Sequence, residues 1–152
     1  MKVLIIEDDK NKINQVTLTL KDRFPTFLIE QKFSFQSGLK AVLLKEHDLI
    51  LLDMSMPNFD ITQTDDGGRP KAFAGKEILR QMKRRSIKIP VIVITQFEKF
   101  GEISNRTSVE ELTEQLSTNY SINFKGIVYY NPAEKKWADD LIKLVDKVRR
   151  KK

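Results

Sequence analysis

Three short runs, Val3-Leu4-Ile5-Ile6, Leu49-Ile50-Leu51-Leu52 and Val91-Ile92-Val93-Ile94, are apolar without a break, and each ends in a polar residue: Glu7, Asp53 and Thr95. A strand with one wet face alternates apolar and polar side chains. Unbroken apolarity therefore marks strands buried on both faces, as in a parallel sheet covered by helices. Two weaker strands complete a set of five. Phe27-Leu28-Ile29 with Phe33 is mixed enough for an edge, and Gly126-Ile127-Val128-Tyr129-Tyr130 is β-branched and aromatic.

Helical spacing fills the intervals. Ile13, Val16, Leu20 and Phe24 form one stripe on a helix over about residues 10–23, closed by Pro25. A second helix starts at Ser37 as its N-cap and carries Leu39, Val42 and Leu43. A third runs from about Gly75 to Arg85 with Ile78, Leu79 and Met82 inward. The fourth has Ser108 as N-cap and Glu110 and Glu111 in its first turn; the fifth follows Pro132 and buries Trp137, Leu141, Ile142, Leu144 or Val145, and Val148. Strand and helix alternate five times, and right-handed crossovers then leave few topologies. The expected fold is α/β: a flavodoxin-like doubly wound parallel sheet of five strands in the order 2-1-3-4-5, with five helices. A length of 152 residues suits one domain, 1–152, able to bury roughly two-thirds of its unfolded surface. Two connections, 58–74 and 96–107, are longer than routine βα loops, and long loops at strand C-termini most often surround a site.

In that order the first and third strands are neighbours, and ligands bind at the carboxyl edge where the strand order reverses. Glu7, Asp8 and Asp9 follow the first strand and Asp53 follows the third, so the fold delivers three or four carboxylates to one small volume. Like charges that close need a cation, and hard oxygen ligands suit Mg²⁺ or Mn²⁺ better than zinc. The bland alternative is that the first three merely cap the following helix, but capping leaves Asp53 unexplained. A carboxylate is itself a nucleophile toward phosphorus once the transferring oxygens are neutralised, and Thr95 at the same edge offers such an oxygen a hydroxyl.

Val-Leu-Ile-Ile-Glu7-Asp8-Asp9, Ser37-Gly-Leu-Lys-Ala-Val-Leu-Leu, Asp48-Leu-Ile-Leu-Leu-Asp53-Met-Ser-Met-Pro57 and Pro90-Val-Ile-Val-Ile-Thr95 together resemble, in order and spacing, the receiver domain of two-component response regulators. The resemblance covers nearly the whole chain. It implies Asp53 as phosphoacceptor, Asp8 as a direct metal ligand with Glu7 beside it, and the backbone carbonyl of Ser55 as a further ligand. It also implies that Thr95 contacts the phosphoryl group and couples it to the fourth helix. A sensor histidine kinase or phosphotransfer protein would be the donor, and the helix 4 and strand 5 face would meet a downstream protein, with a homodimer through the fourth helix as one arrangement.

The chain departs from the family where receivers carry a lysine before a proline after the fifth strand: the aligned residues read Tyr130-Asn131-Pro132. Asn131 donates a hydrogen bond but supplies no ion pair, and Lys135, Arg69 and Lys71 are cations that would substitute. The family's switch aromatic aligns with Val128, followed by Tyr129 and Tyr130, and Gln96 stands where the family places a small residue.

Other chemistries fail locally. Gly67-Gly68 lacks the strand and the GK[ST] or third glycine of a nucleotide loop. A phosphatase of the haloacid dehalogenase type would need a second aspartate where Ser55 stands. His47, the only histidine, assembles neither a triad nor a two-histidine zinc site. No cysteine is present, which excludes disulfides and thiol chemistry and suits the cytosol. The N-terminal apolar run is too short for a signal or membrane segment. The formal charge of +6 is concentrated in Lys143, Lys147, Arg149, Arg150, Lys151 and Lys152, where cations complement a helix C-terminus, so nucleic acid is not the expected partner. The expectation is a phosphoacceptor signalling domain rather than an enzyme. Its rival is a receiver-like interaction module that works without phosphorylation.

Overall fold

The computed structural model describes residues 1–60, 70–71, 74–96, 99–100 and 107–151. Much of the two long connections lies outside the described residues, as do Arg69 and the side chain of Lys71. The parallel strands are β1 (Lys2–Ile6), β2 (Leu28–Lys32), β3 (Leu49–Leu52), β4 (Val91–Thr95) and β5 (Phe124–Tyr129). They lie in the order β2-β1-β3-β4-β5, the doubly wound arrangement expected from the apolar runs. The helices are α1 (Lys10–Arg23), α2 (Phe35–Leu43), α3 (Ala74–Arg84), α4 (Val109–Asn119) and α5 (Lys136–Arg150). Two antiparallel ladders of two residues each, Met56–Pro57 with Pro70–Lys71 and Lys99–Phe100 with Thr107–Ser108, stand apart from the main sheet. Among the described residues no helix is long and apolar enough to cross a membrane.

The unbroken apolar runs follow from burial on both faces. Leu4, Ile6, Ile50, Leu52, Val91 and Val93 pack with Phe35, Val42, Ile78, Leu79, Leu112 and Leu116 of α2, α3 and α4. The alternate residues Val3, Ile5, Leu49, Leu51, Ile92 and Ile94 pack with Ile13, Val16 and Leu20 of α1 and with Trp137, Leu141, Val145 and Val148 of α5. Because side chains alternate across a strand, each run serves both cores at once. On α5 it is Val145 that is buried, whereas Ile142 and Leu144 are half-buried.

Three local expectations shift. β2 runs further than the Phe27–Ile29 stretch, through Gln31 and Lys32, because backbone pairing with Ile5 and Ile6 holds even polar residues at an edge. α2 is capped by Ser34, not Ser37: Ser34 is extended (φ −149°, ψ 168°) and its hydroxyl accepts from the Ser37 N–H at 3.3 Å. Ser37 is already inside the first turn, where its hydroxyl bonds Asp60 at 2.9 Å. β5 begins two residues early and carries a bulge, since Val91 pairs with Phe124 but Ile92 with Gly126. Gly126 has φ +149°, a conformation that side chains rarely adopt and that the extra residue requires.

The register decides where the polar ends meet. Ile6 pairs with Leu52, and Leu52 with Val93, so Glu7, Asp53 and Thr95 leave adjacent strands at one edge.

Candidate functional site

Two backbone bonds seat Asp53 at that edge: its N–H donates to the Ile6 carbonyl at 3.1 Å, and its carboxylate Oδ1 accepts from the Met54 N–H at 2.9 Å. Glu7, Asp8 and Asp53 each offer a carboxylate oxygen within 4.8 Å of the others. Glu7 and Asp53 are 4% and 7% exposed, and Asp8 faces solvent. The acids predicted to converge therefore do so. The capping role belongs to Asp9 alone, whose carboxylate accepts from the Lys12 N–H at 3.2 Å, while its own N–H donates to Glu7 Oε1 at 3.1 Å.

Thr95 is fully buried at the end of β4, and its carbonyl accepts from the Tyr130 N–H at 2.6 Å. Ser55 is half-buried two residues beyond Asp53, at the entry to Met56–Pro57. Asn131 follows β5 as expected, but its side-chain oxygen accepts from the Ala133 N–H at 3.0 Å, closing a turn in its own loop. Lys135 is exposed beside α5. Gly75, at the start of α3, lies so close to the acceptor strand that an added Cβ would meet the Asp53 carbonyl oxygen at 2.3 Å, and its N–H donates to the Met54 carbonyl at 3.0 Å.

The residue that sequence reasoning missed is Lys12. Its ammonium is buried, 2.5 Å from Glu7 Oε2 and 3.6 Å from Asp53 Oδ1, and donates to the Ile94 carbonyl at 2.8 Å. It also lies 5.7 Å from the centre of the Tyr130 ring, which is tilted against Trp137. Of the cations considered from the sequence, only Lys135 has a described side chain, and it is exposed beside α5. A signal was available: Lys12, Val16 and Leu20 are spaced by four on α1, so the lysine shares the face that carries the buried stripe.

Burial dominates the electrostatics. Loss of water pushes the Glu7 carboxyl up to about 9, with the nearby Asp53 charge adding and Lys12 opposing. Burial also raises Asp53, opposed by the Lys12 charge, the Met54 N–H and a hydrogen bond with Glu7. The cluster of three carboxyl groups faces one ammonium. Its donors are all oxygen and one face is open at Asp8, which fits a hard divalent cation with retained water.

No family model matches the chain. The chain is 34% identical over 147 residues to the Detocs response regulatory protein DtcB of Enterobacter cloacae, spanning 95% of this chain and 98% of that protein. It is 31% identical over 139 residues to protein y4jR of Sinorhizobium fredii, covering 90% and 91% of the two chains. Among solved structures, the signal receiver domain of a LuxO repressor protein from Vibrio parahaemolyticus superposes with a TM-score of 0.65 at 17% identity, over 98% of this chain and 90% of that one. That likeness concerns the fold.

Proposed function

This chain belongs to the response-regulator receiver family, and on that premise we propose that it takes a phosphoryl group on Asp53 in a Mg²⁺-dependent step and thereby switches a protein-interaction face. The observation that carries the reading is the convergence of Asp53 with Glu7 and Asp8 within 4.8 Å at the carboxyl edge of the sheet. In the step, a carboxylate oxygen of Asp53 forms a bond to phosphorus as the donor bond breaks. From a phosphohistidine the P–N bond breaks and the imidazole leaves with the electron pair and gains a proton; from acetyl phosphate the P–O bond breaks and acetate leaves. The product is an acyl phosphate.

Glu7, Asp8, Asp53 and the Ser55 carbonyl would hold Mg²⁺, or Mn²⁺ in its place, whose charge offsets that of the transferring oxygens. The Met54 N–H fixes Asp53 Oδ1, and Thr95 lies at the same edge to meet the phosphoryl oxygens. Residues 1–152 serve as one receiver domain. A sensor histidine kinase or phosphotransfer protein supplies the phosphoryl group on the cytoplasmic side, where ATP charges such donors. The output face is that of α4 and β5, where Tyr129 is 41% exposed, meeting a downstream protein or a second copy of this chain.

Intact-mass spectrometry after incubation with acetyl phosphate and Mg²⁺ tests the reading. The wild-type protein gains one phosphoryl group, Asp53→Asn gains none, and chelation of the divalent ion prevents the gain. An unmodified wild-type protein overturns it and favours a phosphorylation-independent interaction module, the reading to which Asn131 at the family's usual lysine position points.

A further inference from the structure

We infer that Lys12, delivered from the first turn of α1, is the cation that pairs with the phosphoryl group on Asp53, taking over from α1 the task for which the end of β5 supplies only Asn131. The inference rests on the phosphoacceptor reading of Asp53 and names the group that positions and stabilises its product. An ammonium has three N–H donors. In Lys12 two are committed, to Glu7 Oε2 at 2.5 Å and to the Ile94 carbonyl at 2.8 Å, and the charge faces Asp53 Oδ1 at 3.6 Å. That last distance is too long for a hydrogen bond to the carboxylate itself. A phosphoryl group bonded to Asp53 extends beyond the carboxylate and brings anionic oxygens toward the remaining donor.

The surroundings keep this charge in place. Lys12 is 2% exposed, and the Asp9 carboxylate holds its backbone N–H at 3.2 Å, which anchors the turn from which the side chain departs. A buried ammonium is costly unless it is paired, so it stays with whichever anions the site contains. Before transfer its partners are the carboxyl oxygens of Glu7 and Asp53; afterwards the phosphoryl oxygens carry more charge than either. Among the described residues, no other lysine or arginine forms an ion pair with Glu7, Asp8 or Asp53. Asn131 has its side-chain oxygen engaged in its own turn, and Lys135 is exposed.

The arrangement also separates two affinities that a merely structural lysine would move together. Lys12 competes with a divalent cation for Glu7 but assists an anion on Asp53. Removing its charge therefore leaves Mg²⁺ binding unchanged or tighter and weakens binding of an anionic phosphoryl mimic.

The test uses the full chain as wild type, Lys12→Met and the double variant Lys12→Met/Asn131→Lys. Calorimetry measures binding first of Mg²⁺ alone and then of beryllofluoride in saturating Mg²⁺. Lys12→Met is expected to lose beryllofluoride affinity by about tenfold or more, the scale of one charge-assisted hydrogen bond, with no loss of Mg²⁺ affinity. The double variant, which places an ammonium at the family's usual position, recovers part of that loss. Equal beryllofluoride affinity in wild type and Lys12→Met, or parallel loss of both ligands without rescue, overturns the inference and leaves Asp53 as acceptor intact. A wild-type protein that neither binds beryllofluoride nor is phosphorylated overturns the Asp53 reading and this one with it. If Lys12→Met does not fold, Lys12→Arg against Lys12→Gln carries the same comparison: affinity kept by arginine and lost by glutamine supports the pairing, and equal affinity in both overturns it.

Discussion

The Lys12 ammonium donates to the backbone carbonyl of Ile94 at 2.8 Å, joining residues 82 positions apart. The bond ties the first turn of α1 to the end of β4, one residue before Thr95. It holds the charge at the acidic edge by a neutral acceptor that no titration removes, so a change in the anions of the site leaves one anchor of the ammonium in place. Because the ammonium is bonded to it, we expect β4 to be sensitive to what Lys12 pairs with.

That sensitivity has an optical reporter. Lys12 lies 5.7 Å from the Tyr130 ring centre, and Tyr130 lies 4.8 Å from Trp137 at 59°. Trp137 is the only tryptophan, so emission excited beyond the tyrosine absorption band comes from it alone. We expect emission to change when beryllofluoride and Mg²⁺ are added together, and not in Asp53→Asn. Unaltered emission in a protein shown by mass spectrometry to be phosphorylated would disconnect Tyr130 and Trp137 from the site.

Stability of the metal-free protein should fall as pH rises. Glu7 is held near 9 in the folded protein against an ordinary value of 4.5, and burial shifts Asp53 in the same direction. The folded state keeps protons that the unfolded chain has released, so this stabilisation is full below the ordinary carboxylate values and is lost as pH passes through about 9. Urea midpoints measured from about pH 5 to about pH 9 check the sign. Glu7→Gln should flatten the slope, as should Mg²⁺, which favours the ionised carboxyls. A midpoint that rises with pH in the metal-free wild type would contradict the assignment.

Gly75→Ala should damage the acceptor strand from the side opposite Lys12. Its new Cβ would stand 2.3 Å from the Asp53 carbonyl oxygen and 2.5 Å from Met54 Cε, and only the methionine tip can give way easily. Overpacking of this kind costs about 1–3 kcal/mol. Chemical denaturation should show that loss, together with slower labelling of Asp53 by acetyl phosphate; wild-type stability would mean that α3 shifts freely.

The cap of α2 separates two serines. Ser34→Ala removes the acceptor for the Ser37 N–H and should cost about 1 kcal/mol. Ser37→Ala removes an exposed bond to Asp60 and a hydroxyl contact with Ser34 at 2.8 Å but leaves the cap of its N–H in place, and should cost less, about 0.5 kcal/mol. Equal losses in urea unfolding would place the cap elsewhere.

The apolar runs by themselves determined the sheet. Residues three to six, 49 to 52 and 91 to 94 each face two cores, the burial that a parallel sheet covered by helices on both sides gives its strands. Once the strand order is known, the position of Glu7 and Asp53 just past their runs is enough to bring them to one edge, because strands in register end together. Ser34 was not legible in this way. Ser34 and Ser37 are both competent caps, and only the backbone dihedrals decide which one stands outside the helix. Nor was Lys12. Periodicity assigns a residue to a face of its own helix, but the distance from its ammonium to Asp53, 41 positions on, depends on how α1 crosses the sheet and on how far a long side chain reaches along apolar surface. The pattern of single elements carries the first kind of fact, and the packing of one element on another creates the second.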